Sequence, residues 1–213
     1  MRPVRAVAFD FNGTLSDDEP VLLAVYQELF SEHGRPLTAE EYYGTLAGLS
    51  EEVIIGTWLG VDGAELAALV EQRIARYLAR CDTGATIGAP VREAVAEAAG
   101  RVPVAVVSGA FRREIEPVLA GAGLDRHVSV LVAADDVERG KPDPAGYERA
   151  AKLLGLDPAE IVAFEDTEAG VASAKAAGMR CVAVVGTHTR ERLRAADELV
   201  DAIDASVVRR ALG

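Results

Sequence analysis

Lysine is almost missing from this 213-residue chain: only Lys141, Lys152 and Lys175 occur. Cysteine is limited to Cys81 and Cys181, aromatic residues make up 5%, and the formal net charge is -12. Each shortage excludes something. Without a basic excess the chain has no footprint for nucleic acid, whose phosphates demand a positive face, and little attraction to anionic membrane surfaces. Two cysteines a hundred residues apart fit neither a metal spacing nor a disulfide framework and read as free thiols in a reducing compartment. No apolar run is long enough to span a bilayer; Val102-Pro103-Val104-Ala105-Val106-Val107 is typical of the longest. Met1-Arg2-Pro3-Val4-Arg5 leads into a strand without the apolar core of a secretory signal, so the expected location is cytoplasmic. His33, His127 and His188 fit no ligand spacing.

What is present is half hydrophobic and a quarter charged, the balance of a globular domain with a substantial core. Short apolar runs at Val4–Phe9, Val102–Val107, Val128–Ala133, Ile161–Phe164 and Cys181–Val185 read as buried strands. Helical patterns at Arg112–Ala120, Pro144–Leu154, Glu168–Ala177 and Glu191–Ala196 lie between or after them. That alternation predicts an α/β fold, a Rossmann-like parallel sheet with helices on both faces. Residues 16–86 differ. Leu22–Phe30, Ala39–Leu46, Glu52–Leu59 and Ala64–Ala79 read as helices with no strand among them, so an all-helical cap is expected to interrupt a core formed by residues 1–15 and 87–213. The hinges would fall near Leu15-Ser16-Asp17 and Cys81–Pro90.

Ligands on open parallel sheets bind at the carboxyl ends of the strands. Asp10 follows the first strand there, Ser108-Gly109 the second, and Glu165-Asp166 the fourth; Lys141 precedes a helix just beyond the third. Singly, each has an ordinary reading as a turn residue, a helix cap or a solvated charge. Together they supply a carboxylate nucleophile, a hydroxyl, a cation and two more carboxylates, which suits phosphoryl transfer through an aspartyl phosphate. A divalent cation, preferably Mg²⁺ on hard oxygen ligands, would offset repulsion between Asp10 and a phosphate dianion. Lys141, the Ser108 hydroxyl and backbone N–H groups near Gly109 would hold the phosphoryl oxygens.

These residues resemble the haloacid dehalogenase superfamily, in the branch with a helical cap after the first motif. Asp10-Phe11-Asn12-Gly13-Thr14-Leu15 matches the first motif, Ser108 the second and Lys141 in Gly140-Lys141-Pro142-Asp143 the third. Phe164-Glu165-Asp166-Thr167-Glu168-Ala169-Gly170 matches the fourth. The resemblance implies Asp10 as nucleophile and metal ligand, Asp166 as second ligand supported by Glu165, and the backbone carbonyl of Asn12 as third. It places Gly13 in the turn that passes the phosphate. The paired acids argue against a dehalogenase, the lack of a cap lysine against a phosphonate hydrolase, and Leu22 against a β-phosphoglucomutase-like enzyme, which carries histidine there. A phosphatase of a small phosphorylated metabolite, monomeric or a weak homodimer, is the expectation.

One position departs from the motif. The second aspartate of motif one, the general acid and base of such phosphatases, is Asn12 here. Four readings stay open: action on good leaving groups, replacement by an acid of the insert or linker (Asp17, Asp18, Glu19, Glu51 or Glu52), a binding or regulatory protein with little turnover, or a deliberate Asp→Asn change at this position. A phosphomutase or phosphotransferase is a further alternative. In the insert, Gly48-Leu49-Ser50 resembles a loop that reaches into such sites, although Ser50 also suits the cap of the helix that follows. Arg35, Arg73, Arg76 and Arg80 of the insert could bind a second anionic group, but the last three share one helix face and are expected there as solvated charges.

Overall fold

The computed structural model describes residues 3–81 and 83–213. Met1 and Arg2, ahead of the first predicted strand, and Asp82, inside the second predicted hinge, lie outside the described residues. The strands are β1 (Ala6–Phe9), β2 (Val104–Val107), β3 (Val130–Val132), β4 (Ile161–Glu165), β5 (Arg180–Val184) and β6 (Glu198–Val200). All pair in parallel, in the order β3-β2-β1-β4-β5-β6. The order reverses direction around β1, which therefore marks the point where a crevice opens at the strand ends.

The two faces of the sheet carry different side chains, as the period of two along a strand requires. Val7, Phe9, Val104, Val106, Val162, Phe164 and Val182 share one apolar cluster, and Phe9 stacks on its register partner Phe164 at 5.0 Å between ring centroids. Helices α5 (Ala89–Ala99), α6 (Arg112–Gly121) and α9 (Ala205–Leu212) bury Val95, Ile115, Val118 and Val208 in that cluster. The other face is rich in alanine: Ala6, Ala8, Ala105, Ala163 and Ala183 lie there with Cys181, Val107, Val132 and Ile161. Small side chains let α7 (Ala145–Leu154) and α8 (Glu168–Ala176) bring Tyr147, Ala150, Val171 and Ala174 close to the strands. Cys81 and Cys181 are both free and buried.

Between β1 and α5 the chain is helical. Helices α1 (Glu19–Glu32), α2 (Ala39–Glu41, continued by a π-helical turn over Tyr42–Leu46), α3 (Glu51–Leu59) and α4 (Gly63–Cys81) pack on one another, with α1 and α3 against α4. The two connections to the sheet run side by side. Asp17 N donates to Thr86 O at 2.9 Å, and the Ser16 hydroxyl donates to Thr86 Oγ1 at 2.7 Å. No single described helix is long and apolar enough to cross a membrane.

One expectation needs correction, and two elements need finer description. Glu191–Ala196 forms successive turns, not a helix. Six residues cannot offset the cost of helix nucleation when the chain must at once supply another strand; Asp197 anchors that strand by accepting from Cys181 N at 2.7 Å and from Lys175. That strand, β6, and the helix α9 extend the domain beyond the predicted elements. Ala39–Leu46 is one short turn of α-helix followed by the π turn, with Gly44 inside it.

The alanine face yields a test. Ala163→Leu forces extra volume between β4 and the helices packed there, and urea unfolding should show a loss on the order of 1–3 kcal/mol. A neutral result would mean that this face has slack the packing does not show.

Candidate active site

Backbone pairing carries the site residues to the end of the sheet. Asp10 N donates to Phe164 O at 2.9 Å, continuing the β1–β4 pairing, and Ser108 N donates to Val132 O at 3.0 Å, continuing β2–β3. Asp166 follows β4 directly. The loop before α7 brings Lys141 over from the next layer. The structure thus gathers Asp10, Asn12, Ser108, Gly109, Lys141 and Asp166 around one cavity.

Lys141 is the hub. Its Nζ pairs with an oxygen of Asp10 and, at 2.6 Å, with Glu165 Oε1, and it lies 5.6 Å from the centroid of the Tyr147 ring. Burial works against its charge, but Asp10 and then Glu165 outweigh it and hold the ammonium above its ordinary range. Glu165 is itself engaged. It accepts from the Tyr147 hydroxyl at 2.6 Å and from Asp166 N at 3.3 Å. A side chain at position 170 would collide with its carboxylate, since a Cβ there would lie 1.8 Å from Oε2. Gly170 is thus what gives Glu165 room under α8.

Asp10, Glu165 and Asp166 offer carboxylate oxygens that all lie within 4.8 Å of one another. Burial, then Asp10, Glu19 and Glu165, push the Asp166 carboxyl well above the usual range; the Thr187 hydroxyl acts in the opposite direction. Asp166 Oδ1 accepts from the Thr14 hydroxyl at 3.2 Å, while Oδ2 is buried without a geometrically proper hydrogen bond. An orphaned carboxylate oxygen in such a group fits a hard cation. Gly13 permits the approach: its φ is +71°, and a Cβ there would lie 2.0 Å from Asp166 Oδ2.

Asn12 is tied to the start of the insert. Its Nδ2 donates to Asp18 Oδ2 at 2.9 Å, and the Tyr77 hydroxyl donates to the same oxygen. Burial pushes the Asp18 carboxyl up to about 6, partly offset by Tyr77, Ser16 and Asn12. Its neighbour Glu19 lines the same cavity as Asp10 and accepts from the Tyr42 hydroxyl at 2.9 Å. Burial, with Asp18 and Asp10 adding repulsion, pushes Glu19 up to about 8.

The predicted solvated face of α4 holds for Arg76 and Arg80, which pair with Glu32 and Glu28. Arg73 is a correction: it is 2% exposed and lines the cavity. Arg73 falls in register with Leu69, Tyr77 and Cys81, four residues apart along the buried stripe, and that spacing was the available signal. It pairs with Glu51 at 2.7 Å and with Glu114 at the start of α6, and its guanidinium lies over the rings of Tyr77 and Tyr26. Ser50 precedes α3 but makes no capping bond; it lines an adjacent cleft with Ser108, Gly140 and Lys141. Tyr42, Tyr147 and Thr14 are site residues that the sequence reading missed. Nothing local distinguishes a tyrosine that holds a carboxylate from one that fills a core.

A family model of haloacid dehalogenase-like hydrolases matches residues 4–178. The chain belongs to that family. Over 201 residues it is 33% identical to validoxylamine A 7'-phosphate phosphatase of Streptomyces hygroscopicus subsp. limoneus, covering 92% of each chain. It is 31% identical to phosphoglycolate phosphatase of Pectobacterium atrosepticum, covering 84% of this chain and 79% of the other. Among solved structures, mutant CbbY from Rhodobacter sphaeroides in complex with xylulose-(1,5)bisphosphate superposes with a TM-score of 0.83 at 28% identity, covering 93% and 94%. A β-phosphoglucomutase from Clostridium difficile matches with a TM-score of 0.85 at 19% identity, covering 98% and 97%, a likeness of fold.

The buried carboxyls make stability depend on pH. Folding lifts Asp18 from 3.8 to about 6 and Glu19 from 4.5 to about 8, so the native state retains protons that the unfolded chain releases. The metal-free protein should therefore lose stability as pH rises from about 4 to about 8, and Glu19→Gln should flatten the upper part of that fall. Mg²⁺ should raise the melting temperature, and Gly13→Ala should remove that response. A flat profile, or an undiminished Mg²⁺ shift in Gly13→Ala, contradicts the arrangement.

Proposed function

We propose that the protein is a Mg²⁺-dependent phosphatase of a small phosphorylated metabolite that works through a phosphoryl group carried on Asp10. The observation that carries this reading is Asp10 itself. It sits at the mouth of β1, held by Lys141, lines one cavity with Ser108, Gly109 and Asp166, and has a carboxylate oxygen within 4.8 Å of one from Asp166. The names of the phosphatase relatives agree with it.

In this reading Asp10, the Asn12 carbonyl and Asp166 hold the cation, which supplies positive charge against the phosphoryl oxygens. Glu165 positions Lys141. Asp10 attacks phosphorus, the leaving oxygen departs to the insert side, and Lys141 with the Ser108 hydroxyl and nearby N–H groups stabilises the charge on the transferring group. Gly13 would give the chain its turn past the phosphate, and Ser50, which lines the neighbouring cleft with Ser108 and Lys141, would bind a phosphoryl oxygen. The insert acts as a cap that excludes water. Water then releases phosphate from Asp10.

Asn12 can neither protonate the leaving group nor take a proton from that water. Turnover then favours leaving groups that depart as stable anions, such as acyl phosphates. Glu19, whose carboxyl burial pushes up to about 8, lines the same cavity, and proton transfer through it would widen the range to alkyl phosphates.

Phosphate release from acyl, aryl and alkyl phosphates, with and without Mg²⁺, tests the reading. Asp10→Asn should abolish release from all of them. Asn12→Asp places a carboxylate against Asp18, so the two must share a proton, and it should raise alkyl phosphate turnover by about 10²–10⁴-fold. If alkyl phosphates are already turned over fast and Glu19→Gln removes that activity, Glu19 carries the proton. Full release by Asp10→Asn would overturn the nucleophile.

A further inference from the structure

The half of the cavity that faces away from Asp10 is built from the insert: Glu19, Tyr42, Glu51 and Arg73, with Leu22 and Ile54 as its apolar wall. Among the described lining residues the cations are Lys141 and Arg73 only. Lys141 is taken by Asp10 and Glu165. Arg73 is taken twice, by Glu51 and by the fully buried Glu114. An anionic group entering here would have to displace a buried carboxylate from Arg73 and leave it unpaired, at heavy cost.

Two orphaned atoms point to what does fit. Glu51 Oε2 and Arg73 Nε are buried without hydrogen-bond partners, on side chains that are 5% and 2% exposed and line the cavity. One is an acceptor and the other a donor. A hydroxyl group, which can donate to Glu51 or accept from Arg73, suits either atom; a carboxylate or phosphate suits only the donor and confronts Glu51. The Glu19–Tyr42 pair adds a second polar anchor.

We propose, resting on the phosphatase reading above, that the organic part of the substrate is a polyhydroxylated group without a second anion, seated against Glu51, Arg73 and Glu19. Hydroxyl or ammonium donors both meet the Glu51 carboxylate. Bisphosphates and phosphocarboxylates are excluded because both terminal nitrogens of Arg73 are already paired with Glu51 and Glu114, and a second anion would meet the Glu51 carboxylate.

Calorimetric binding to the full chain carrying Asp10→Asn, with Mg²⁺ present, separates this from turnover. Glucose 6-phosphate and glucosamine 6-phosphate are compared with xylulose 1,5-bisphosphate and phosphoglycolate. The first pair should bind more tightly than the second by about 10-fold or more, as a like-charge juxtaposition requires, and the better of the two tells hydroxyl from ammonium. The same order in kcat/KM of the unmodified protein is a second readout. Glu51→Gln should release Arg73 and raise bisphosphate affinity by about 10-fold. Equal or tighter binding of the bisphosphate or phosphoglycolate overturns the proposal, as does an unchanged bisphosphate affinity in Glu51→Gln. Absence of phosphate release from p-nitrophenyl phosphate by the unmodified protein would instead sink the phosphatase reading, while the binding order still judges this one.

Discussion

Everything at the open end of this sheet depends on Lys141 lying between Asp10 and Glu165. Three carboxylates converge where β1 and β4 end, and burial pushes the carboxyls of Glu165 and Asp166 upward. The ammonium holds Asp10 in place and fixes Glu165, whose other contacts run to Tyr147 and the Asp166 amide. One cation cannot balance three acids. The remainder shows in Asp166, whose carboxyl is pushed upward and whose Oδ2 is left unpaired. Counted as ionised, three carboxylates and one ammonium leave the site two positive charges short, which the proposed Mg²⁺ would supply.

The same imbalance extends into the insert. Asp18 and Glu19 stand at the start of α1, close enough to raise each other's cost, and are held by Tyr77, Asn12 and Tyr42. Asn12 is then more than an absence. As an amide it donates to Asp18, whereas a carboxylate at that position would add a further negative charge to a crowded patch. The amide thus adds no charge where Asp18 and Glu19 already crowd the hinge. Arg73 plays the matching part deeper in the insert, joining α4 to Glu51 and to Glu114 of the sheet domain, so the insert is held over the cavity by a buried ionic contact.

Much of this was legible in the chain. Buried strands announce themselves as short apolar runs, and residues just past them must emerge on one edge, so Asp10, Ser108 and Asp166 could be placed together before any coordinates. The four short motifs in order carried the family. What escaped had physical reasons. The turns at Glu191–Ala196 have helical composition but no length, and β6 is only three residues with mixed burial. Arg73 was read by its charge and not by its phase, though Leu69 and Tyr77 mark the buried stripe on either side. Tyr42 and Tyr147 gain their roles from carboxylates 23 and 18 residues away, a relation that no local pattern contains.

The account turns on Asp10 as the phosphoryl carrier, and Asn12 makes that unusually accessible. With a good leaving group, formation of the aspartyl phosphate needs no acid, while its hydrolysis lacks a base, so the intermediate should accumulate. The most direct measurement is rapid acid quench of the protein with acetyl phosphate and Mg²⁺, followed by peptide mass spectrometry. The prediction is one phosphoryl group on the peptide containing Asp10, lost on omission of Mg²⁺ and absent from Asp10→Asn. Phosphate release without any label on that peptide, or a label on another residue, would contradict it.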